Sequence, residues 1–195
     1  MIVWINGAYG AGKTSCAYEL QKRIPKAIVY DPENTGFFIR KNIPKELHKP
    51  DFQDHELWRL FNYEMLRYLA GSTDDIILVP MTLLCRRYYD EIIGRLTADG
   101  ICVRHFILCA ERQTLKKRLH KRLEGKHSWA WSKIEHCLYA FEQEITEEKI
   151  TTDGKNISSV AEEIAKRCGI TLPNDKRSAI EKVLDRIVIT MRHIR

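Results

Sequence analysis

The sequence lacks most of the patterns that mark secreted, metal-binding or membrane-spanning proteins. Its six cysteines occur singly, with no C-x-x-C pair, which argues against a zinc site or a disulfide framework and favours reduced thiols in the cytosol. The apolar start MIVWIN is too short for a signal peptide and has no basic flank, and no later run approaches the length of a membrane span. We therefore expect a cytoplasmic protein.

Internal repeats and low-complexity segments are also absent from the 195 residues, a length that suits a single domain with a buried core. The formal net charge of +6 comes from basic residues that are spread along the chain. This charge suits an anionic ligand, and a bound nucleotide explains it as well as nucleic acid does. We expect a small-molecule partner and no nucleic acid.

Short apolar runs alternate with longer stretches of helical periodicity. Runs that are apolar throughout and separated by helices are typical of a parallel sheet covered on both faces. The predicted strands are residues 2–6, 27–30, 76–80, 101–108 and 149–152. The predicted helices are residues 14–23, 54–70, 84–99, 111–123, 131–145 and 158–167. This order predicts one α/β domain over residues 1–172.

The last segment, residues 173–195, has a pattern of its own. Its apolar residues recur at helical spacing, with charged residues at other positions. The apolar positions are Ile180, Val183, Leu184, Ile187, Val188 and Met191. One interpretation is an amphipathic helix packed on the domain, and the others are a dimer contact and a helix on a membrane surface. The sequence thus leaves open a monomer or a homodimer, and a cytoplasmic or peripheral membrane location.

Residues 5–15, INGAYGAGKTS, contain the pattern G-x-x-x-x-G-K-[ST] without departure. The pattern follows a predicted strand and opens a predicted helix, which is the context in which it binds phosphate. Glycines let successive backbone N–H groups turn toward phosphate oxygens, and the helix N-terminus adds its dipole. We expect ATP or GTP to bind to Gly7, Ala8, Tyr9, Gly10, Ala11, Gly12, Lys13, Thr14 and Ser15.

Within this loop, Lys13 and Thr14 have separate expected roles. Lys13 is expected to reach the β- and γ-phosphates and Thr14 to bind Mg²⁺ through its hydroxyl. The chain has neither the N-K-x-D motif of a GTPase nor the L-S-G-G-Q motif of a transporter ATPase, and it is too short for a motor. These absences favour a small kinase.

Asp31 stands at the carboxyl end of the second predicted strand, within AIVYDPENTGFF. In a parallel sheet that end faces the same crevice as the phosphate loop. A carboxylate there could accept or orient the proton of an acceptor hydroxyl during phosphoryl transfer. The alternative is that Asp31 begins a turn before Pro32, which is a common use of aspartate.

A basic helix after the fourth predicted strand suggests a lid over residues 115–132. Arg118 and Arg122 are four residues apart and share a helix face, and Gly125 lies in the polar segment that follows. Lid arginines stabilise charge on the migrating phosphoryl group and close the site against water. The alternative is a solvated basic face.

Aromatic and hydrogen-bonding residues are mixed in residues 49–66, a composition that suits an acceptor with a ring. Core packing explains each of these aromatics equally well. The third predicted strand lacks the terminal aspartate that would hold Mg²⁺ through water, and Thr82 is a weak substitute for it. Asp31 is therefore a candidate for the metal shell as well as for the base, and the sequence does not separate the two roles.

Several segments together resemble the bacterial tunicamycin-resistance ATP-binding proteins. The resemblance runs in the same order along nearly the whole chain, and it rests on WINGAYGAGKTSCAYEL, VYDPENTGF, DFQDHELWRLFNY, VPMT, EIIGRL, EGKHSWA and MRHIR. It implies a P-loop kinase fold of the nucleoside-monophosphate-kinase type with a five-stranded parallel sheet. The chain is similar, more distantly, to chloramphenicol phosphotransferase and shikimate kinase.

This resemblance also assigns expected roles to particular residues. It implies that Lys13, Asp31, Arg118 and Arg122 are catalytic, with ATP and Mg²⁺ as cofactors. The implied acceptor-binding residues are Asp31, Arg40, Gln53, Trp58 and Arg59. The implied activity is phosphorylation of a hydroxyl of tunicamycin or a nucleoside-like compound. Two alternatives remain, a nucleoside or nucleotide kinase and a non-catalytic ATP-dependent drug-binding protein.

Overall fold

The computed structural model describes residues 1–175, 177, 178, 181 and 185. Five strands in this part of the chain form one parallel sheet in the order β2-β3-β1-β4-β5. The strands are β1 (Ile2–Gly7), β2 (Ala27–Val29), β3 (Ile76–Pro80), β4 (Val103–Cys109) and β5 (Glu148–Thr151). Because β1 lies at the centre, its carboxyl end opens into the crevice where the strand order reverses, which is the usual ligand position in such sheets.

The helices cover both faces of this sheet. They are α1 (Lys13–Arg23), α2 (Glu33–Asn42), α3 (Glu56–Ser72), α4 (Arg86–Tyr89), α5 (Arg95–Ala98), α6 (Arg112–Lys121), α7 (Trp129–Ser132), α8 (Ile134–Gln143) and α9 (Ile157–Arg167). A π-helical turn (Asp90–Gly94) joins α4 to α5, and two 3-10 turns (Lys45–Leu47 and Phe52–Asp54) precede α3. None of the helices within the described ranges is both long and apolar enough to cross a membrane.

The side chains of β1 point alternately to the two faces of the sheet, and the buried residues form one core on each face. Val3 and Ile5 pack with α1, α6, α8 and α9 on one face of the sheet. Ile2 and Trp4 pack with α3 and the π-helical turn on the other face. Side chains of successive strand residues point to opposite faces, so a strand that is apolar at every position requires cover on both sides.

The predicted fold class and the five predicted strands are confirmed, with strand ends that differ by one or two residues. The helix α2 was not predicted, and the segment 84–99 contains a π-helical turn instead of one regular helix. The segment 131–145 is divided at Lys133 between α7 and α8. The predicted C-terminal helix over 173–195 falls mostly on residues outside the described set, so it and the domain boundary at 172 stay predictions.

Candidate active site

The loop between β1 and α1 has the backbone shape of a phosphate cradle. Gly7, Gly10 and Gly12 all have positive φ, at 144°, 86° and 101°, a region that side chains with a Cβ rarely adopt. A Cβ added to Gly7 would also lie 2.7 Å from the carbonyl oxygen of Leu108. The loop therefore requires glycine for both conformation and space, and its amides lead into the N-terminus of α1, which favours anions.

Two buried side chains fix the start of this loop. The Asn6 side-chain oxygen accepts hydrogen bonds from the backbone N–H groups of Gly7, at 2.8 Å, and Leu83, at 2.9 Å. The Thr82 hydroxyl donates to the carbonyl oxygen of Gly7 at 2.9 Å. Asn6 and Thr82 are both buried. The segment after β3 thus holds the cradle in place. Thr82, which the sequence offered as a weak substitute for a magnesium-holding aspartate, binds the Gly7 carbonyl in this structure.

Lys13 lies at the inner side of the cradle. Its ammonium donates a hydrogen bond to the carbonyl oxygen of Ala8 at 3.2 Å and lies 5.2 Å from the centre of the Tyr9 ring. Burial lowers the pKa of Lys13 to about 8, and the negative charge of Glu33 acts in the opposite direction. A poorly solvated cation beside the N-terminus of a helix is a favourable partner for an anion.

A cavity of about 690 Å³ opens from this cradle. The phosphate loop contributes Tyr9, Gly10, Gly12, Lys13, Thr14 and Ser15. A second wall, formed by α2 and the segment before the 3-10 turn of residues 52–54, contributes Glu33, Phe37, Arg40, Pro50, Asp51 and Phe52. The predicted lid contributes Leu119, Arg122, Glu124, Ser128, Trp129 and Ala130. A volume of this size accommodates a small-molecule ligand.

The two predicted lid arginines have different surroundings. Arg122 lines the cavity at the end of α6 and is close enough to Lys13 for its charge to lower the Lys13 pKa. Arg118 instead donates to the hydroxyl and carbonyl oxygens of Thr152, at 2.9 and 2.8 Å, and approaches the carbonyls of Gly10 and Ala11 at 3.4 Å. These contacts connect the phosphate loop to the segment after β5. The catalytic role of both arginines stays a prediction.

Asp31 lies outside the cavity wall in this structure. One of its carboxylate oxygens accepts a hydrogen bond from the backbone N–H of Glu33 at 3.0 Å, which is the side-chain turn that commonly opens a helix. The structure therefore contains the turn that the sequence offered as the alternative interpretation. The proposed roles of Asp31 as base and in the metal shell stay predictions.

Of the predicted acceptor-binding residues besides Asp31, Arg40 lines the cavity and the other three do not. Gln53 is buried and donates to the carbonyl oxygen of Thr82 at 3.1 Å. Trp58 is fully buried, and its indole N–H donates a hydrogen bond to the carbonyl oxygen of Pro32 at 3.0 Å. Arg59 is buried in a salt bridge with Glu91 and donates to the carbonyl oxygen of Gln53 at 2.7 Å. These three side chains lie behind the second wall of the cavity.

Sequence reasoning missed the two acidic residues of the second wall, Glu33 and Asp51. For Glu33 a signal was present, because Pro32 and Glu33 suit the first turn of a helix and Arg40 and Lys41 suit its last turn. The helix α2 carries Glu33, Phe37 and Arg40 into the cavity. For Asp51 the sequence gave no local signal, because its position at the wall depends on the packing of the segment before α3.

The residues around the loop fit a nucleotide-bound magnesium ion, although the described part of the chain contains no cluster of three or more His, Cys, Asp or Glu that could hold a metal by itself. Mg²⁺ in phosphoryl-transfer sites is commonly held by one or two protein groups together with the substrate phosphates and water. Thr14 lies at the cavity wall in the first turn of α1, which is the position expected for such a ligand.

Comparison with solved structures identifies the family. The tunicamycin resistance protein of Deinococcus radiodurans superposes with a TM-score of 0.76 and is 30% identical, over 89% of this chain and 98% of that one. The chain belongs to the tunicamycin resistance protein family. This confirms the resemblance seen in the sequence motifs, since the match spans nearly the whole of the solved relative.

More distant structures share the fold of this family. The APS kinase of Mycobacterium tuberculosis has a TM-score of 0.54 at 18% identity, over 86% of this chain and 96% of that chain. The shikimate kinase of Bacteroides thetaiotaomicron has a TM-score of 0.59 at 14% identity, over 87% and 99% of the two chains. Identities this low establish the α/β P-loop kinase fold alone. A scan against protein-family models gave no match for the chain, nor did a comparison with curated proteins.

Proposed function

We propose that this protein is an ATP-dependent phosphotransferase that transfers the γ-phosphoryl group to a hydroxyl of a small molecule. The observation that carries the proposal is the single cavity that joins the glycine cradle and Lys13 to a second wall of mixed aromatic and charged residues. The cradle suits a triphosphate, and the second wall leaves room for an acceptor beside it. Phosphoryl transfer requires mainly positioning and charge stabilisation, and a cavity with both walls supplies these.

In this proposal the chain positions the two substrates and stabilises charge. Backbone amides of the cradle bind the β- and γ-phosphates, Lys13 neutralises their charge, and Arg122 approaches from the lid. Mg²⁺, when bound, neutralises further charge on the phosphates, and Thr14 is the residue that we expect to hold it. Leu119, Trp129 and Ala130 of the lid exclude water from the transfer site.

We propose tunicamycin or a related nucleoside-like compound as the acceptor. The support is family membership, because the solved relative is described as a tunicamycin resistance protein. The aromatic side chains of Phe37, Phe52 and Trp129 at the cavity wall offer flat apolar surface for a ring. Modification of the antibiotic by this chain would then be the basis of resistance.

The test is product analysis by mass spectrometry. Purified protein is incubated with Mg²⁺ and either ATP or GTP, with tunicamycin, nucleosides and nucleoside monophosphates as separate acceptors. We expect an acceptor heavier by one phosphoryl group with tunicamycin, and a loss of about a hundredfold or more in rate in the Lys13→Met variant. Transfer only to nucleosides or nucleotides would instead favour a nucleoside or nucleotide kinase. Drug binding without any phosphorylated product would contradict the proposal and favour a non-catalytic binding protein.

A further inference from the structure

Asp51 is an acidic residue fixed at the acceptor-side wall of the cavity, between Pro50 and Phe52. One of its carboxylate oxygens accepts a hydrogen bond from the backbone N–H of Gln53 at 3.0 Å. The backbone N–H of Asp51 in turn donates to the carboxylate of Asp54 at 3.4 Å. This reciprocal capping arrangement holds the Asp51 side chain in one orientation, and its carboxyl is partly buried.

The surroundings of Asp51 favour the protonated form of its carboxyl more than water does. Burial raises its pKa, and the nearby negative charge of Asp54 adds to this effect. The Gln53 N–H and the positive charges of Lys133 and Arg40 act in the opposite direction, but the net pKa remains raised. A general base works best when its pKa approaches the working pH, so this environment suits proton transfer better than an exposed aspartate would.

Asp51 also lies close to the phosphate loop across the cavity. Asp51 and Lys13 line the same cavity. The charge of Asp51 is near enough to Tyr9 to contribute to the raised pKa of that phenol, and the Tyr9 ring lies beside the Lys13 ammonium. An acceptor that occupied the cavity between Asp51 and Lys13 would have a carboxylate on one side and the expected phosphate site on the other.

Glu33 is the other acidic residue of the second wall, and its surroundings differ from those of Asp51. Its negative charge is the largest contribution that supports the protonated form of Lys13. This places Glu33 with the phosphate-side cation, whereas the charged groups around Asp51 are Asp54, Lys133 and Arg40. Of the two, Asp51 is the better candidate for contact with the acceptor.

We propose, on the basis of the phosphotransferase function proposed above, that Asp51 is the catalytic carboxylate that accepts the proton of the acceptor hydroxyl. As the acceptor O–H bond breaks, the proton passes to Asp51 and the oxygen forms a bond to the γ-phosphorus. The bond between that phosphorus and the β–γ bridging oxygen breaks, and its electron pair leaves with ADP. Asp51 then releases the proton to solvent, so the products are ADP, the phosphorylated acceptor and one proton.

Three variants of nearly identical chemistry test this assignment. Asp51→Asn removes the negative charge and keeps an oxygen that can accept from the Gln53 N–H. Glu56→Gln is the matched control, because Glu56 is an exposed carboxylate nearby in the chain that is not part of the cavity wall. Asp31→Asn tests Asp31, the carboxylate that the sequence suggested as the base, in the same way. Each variant is measured for ATP affinity by calorimetry, and for kcat, KM and their pH dependence with the acceptor that the wild type phosphorylates.

We expect Asp51→Asn to bind ATP as the wild type does and to lose about a hundredfold or more in kcat. The wild-type rate should fall as pH is lowered through the pKa of Asp51, because the carboxylate must be ionised to accept a proton. This fall in rate at low pH, the acid limb of the pH profile, should be missing in Asp51→Asn. Glu56→Gln should stay within about threefold of the wild type and keep the fall in rate at low pH.

A normal rate and an unchanged acid limb in Asp51→Asn would overturn the assignment of Asp51 while leaving the phosphotransferase function intact. Loss of turnover in Asp31→Asn together with normal turnover in Asp51→Asn would overturn it in favour of Asp31. Absence of any phosphorylated product from the wild-type protein with the whole acceptor panel would overturn both proposals, and that result is distinct from the first two.

Discussion

At the scale of single residues, the behaviour of the site depends on how far burial changes the charge of individual groups. Lys13 is the main example, because its ammonium lies inside the loop and its pKa is lowered to about 8. It is therefore still mostly protonated at neutral pH and becomes neutral over a range in which an exposed lysine stays charged. Phosphate bound beside it should raise this pKa again.

We predict that ATP binding depends on pH through Lys13. Affinity should fall as pH rises above about 8, by up to about tenfold per pH unit, because binding then requires uptake of a proton by Lys13. Calorimetry between pH 7 and 9.5, in buffers with different ionisation enthalpies, measures both the affinity and the proton uptake.

The Lys13→Met variant is the control for this experiment and should bind more weakly without the same pH dependence. Tyr9, the neighbouring phenol, should not interfere, because burial raises its pKa well above the usual value. Equal ATP affinity at pH 7 and 9.5, with no proton uptake, would show that Lys13 does not carry the interaction.

At the scale of structural elements, the second wall of the cavity depends on the contact between α2 and the 3-10 turn of residues 52–54. Gly36 in α2 lies directly against the Phe52 ring, and a Cβ added there would be 2.5 Å from the nearest ring carbon. Phe52 in turn packs against Trp58, with 5.5 Å between ring centres. The absence of a side chain at Gly36 therefore sets how closely α2 approaches Phe52 and Asp51.

We predict that Gly36→Ala destabilises the fold by about 1–3 kcal/mol, because the new methyl group overpacks this contact. The same change should raise KM for the acceptor more than KM for ATP, since α2 and Phe52 form the wall at which we propose that the acceptor binds. Chemical denaturation and steady-state kinetics measure the two effects.

A second helical glycine provides the matched comparison. Gly71 lies near the end of α3, and a Cβ added there would meet no atom within 4 Å. Gly71→Ala should therefore be neutral or stabilise the fold by up to about 1 kcal/mol, through helix propensity and a less flexible unfolded chain. Similar losses of stability in both variants would rule out the packing explanation.

At the scale of the whole molecule, hydrogen bonds connect the phosphate loop to the segments that follow β3 and β5. Asn6 and Thr82 connect it to the segment after β3, and Arg118 connects it to the segment after β5. A ligand held by this loop thus stabilises contacts between strands that are distant in sequence. A ligand that binds the folded state alone stabilises it in proportion to the logarithm of its concentration over Kd.

We predict that ATP with Mg²⁺ raises the melting temperature by about 5–10 °C at a hundred times Kd, a concentration that corresponds to about 2.7 kcal/mol of added stability. Differential scanning fluorimetry over a range of nucleotide concentrations checks this. Lys13→Met should melt near the wild-type temperature without nucleotide and show a much smaller shift with it. A wild-type melting temperature that does not change at millimolar ATP would contradict nucleotide binding.

The sequence alone determined the sheet, most of its helical cover and the phosphate loop, because each of these depends on local information. Apolar runs predict the strands, and the eight-residue glycine pattern predicts the position of the cradle in the chain. The motifs DPENTGF, DFQ and VPMT were sufficient to indicate the family, which the solved relative then confirmed.

Only the tertiary structure decided which polar residues reach the cavity. Trp58 and Arg59 are close in sequence to Asp51, yet α3 turns them into the core while the capped turn before it leaves Asp51 at the wall. Asp31 follows a strand that ends at the crevice, yet its side chain is not part of the cavity wall and accepts a hydrogen bond from the Glu33 N–H at the start of α2. The orientation of these side chains is set by contacts between α2, α3 and the turn of residues 52–54, and no local pattern in the sequence encodes contacts of that range.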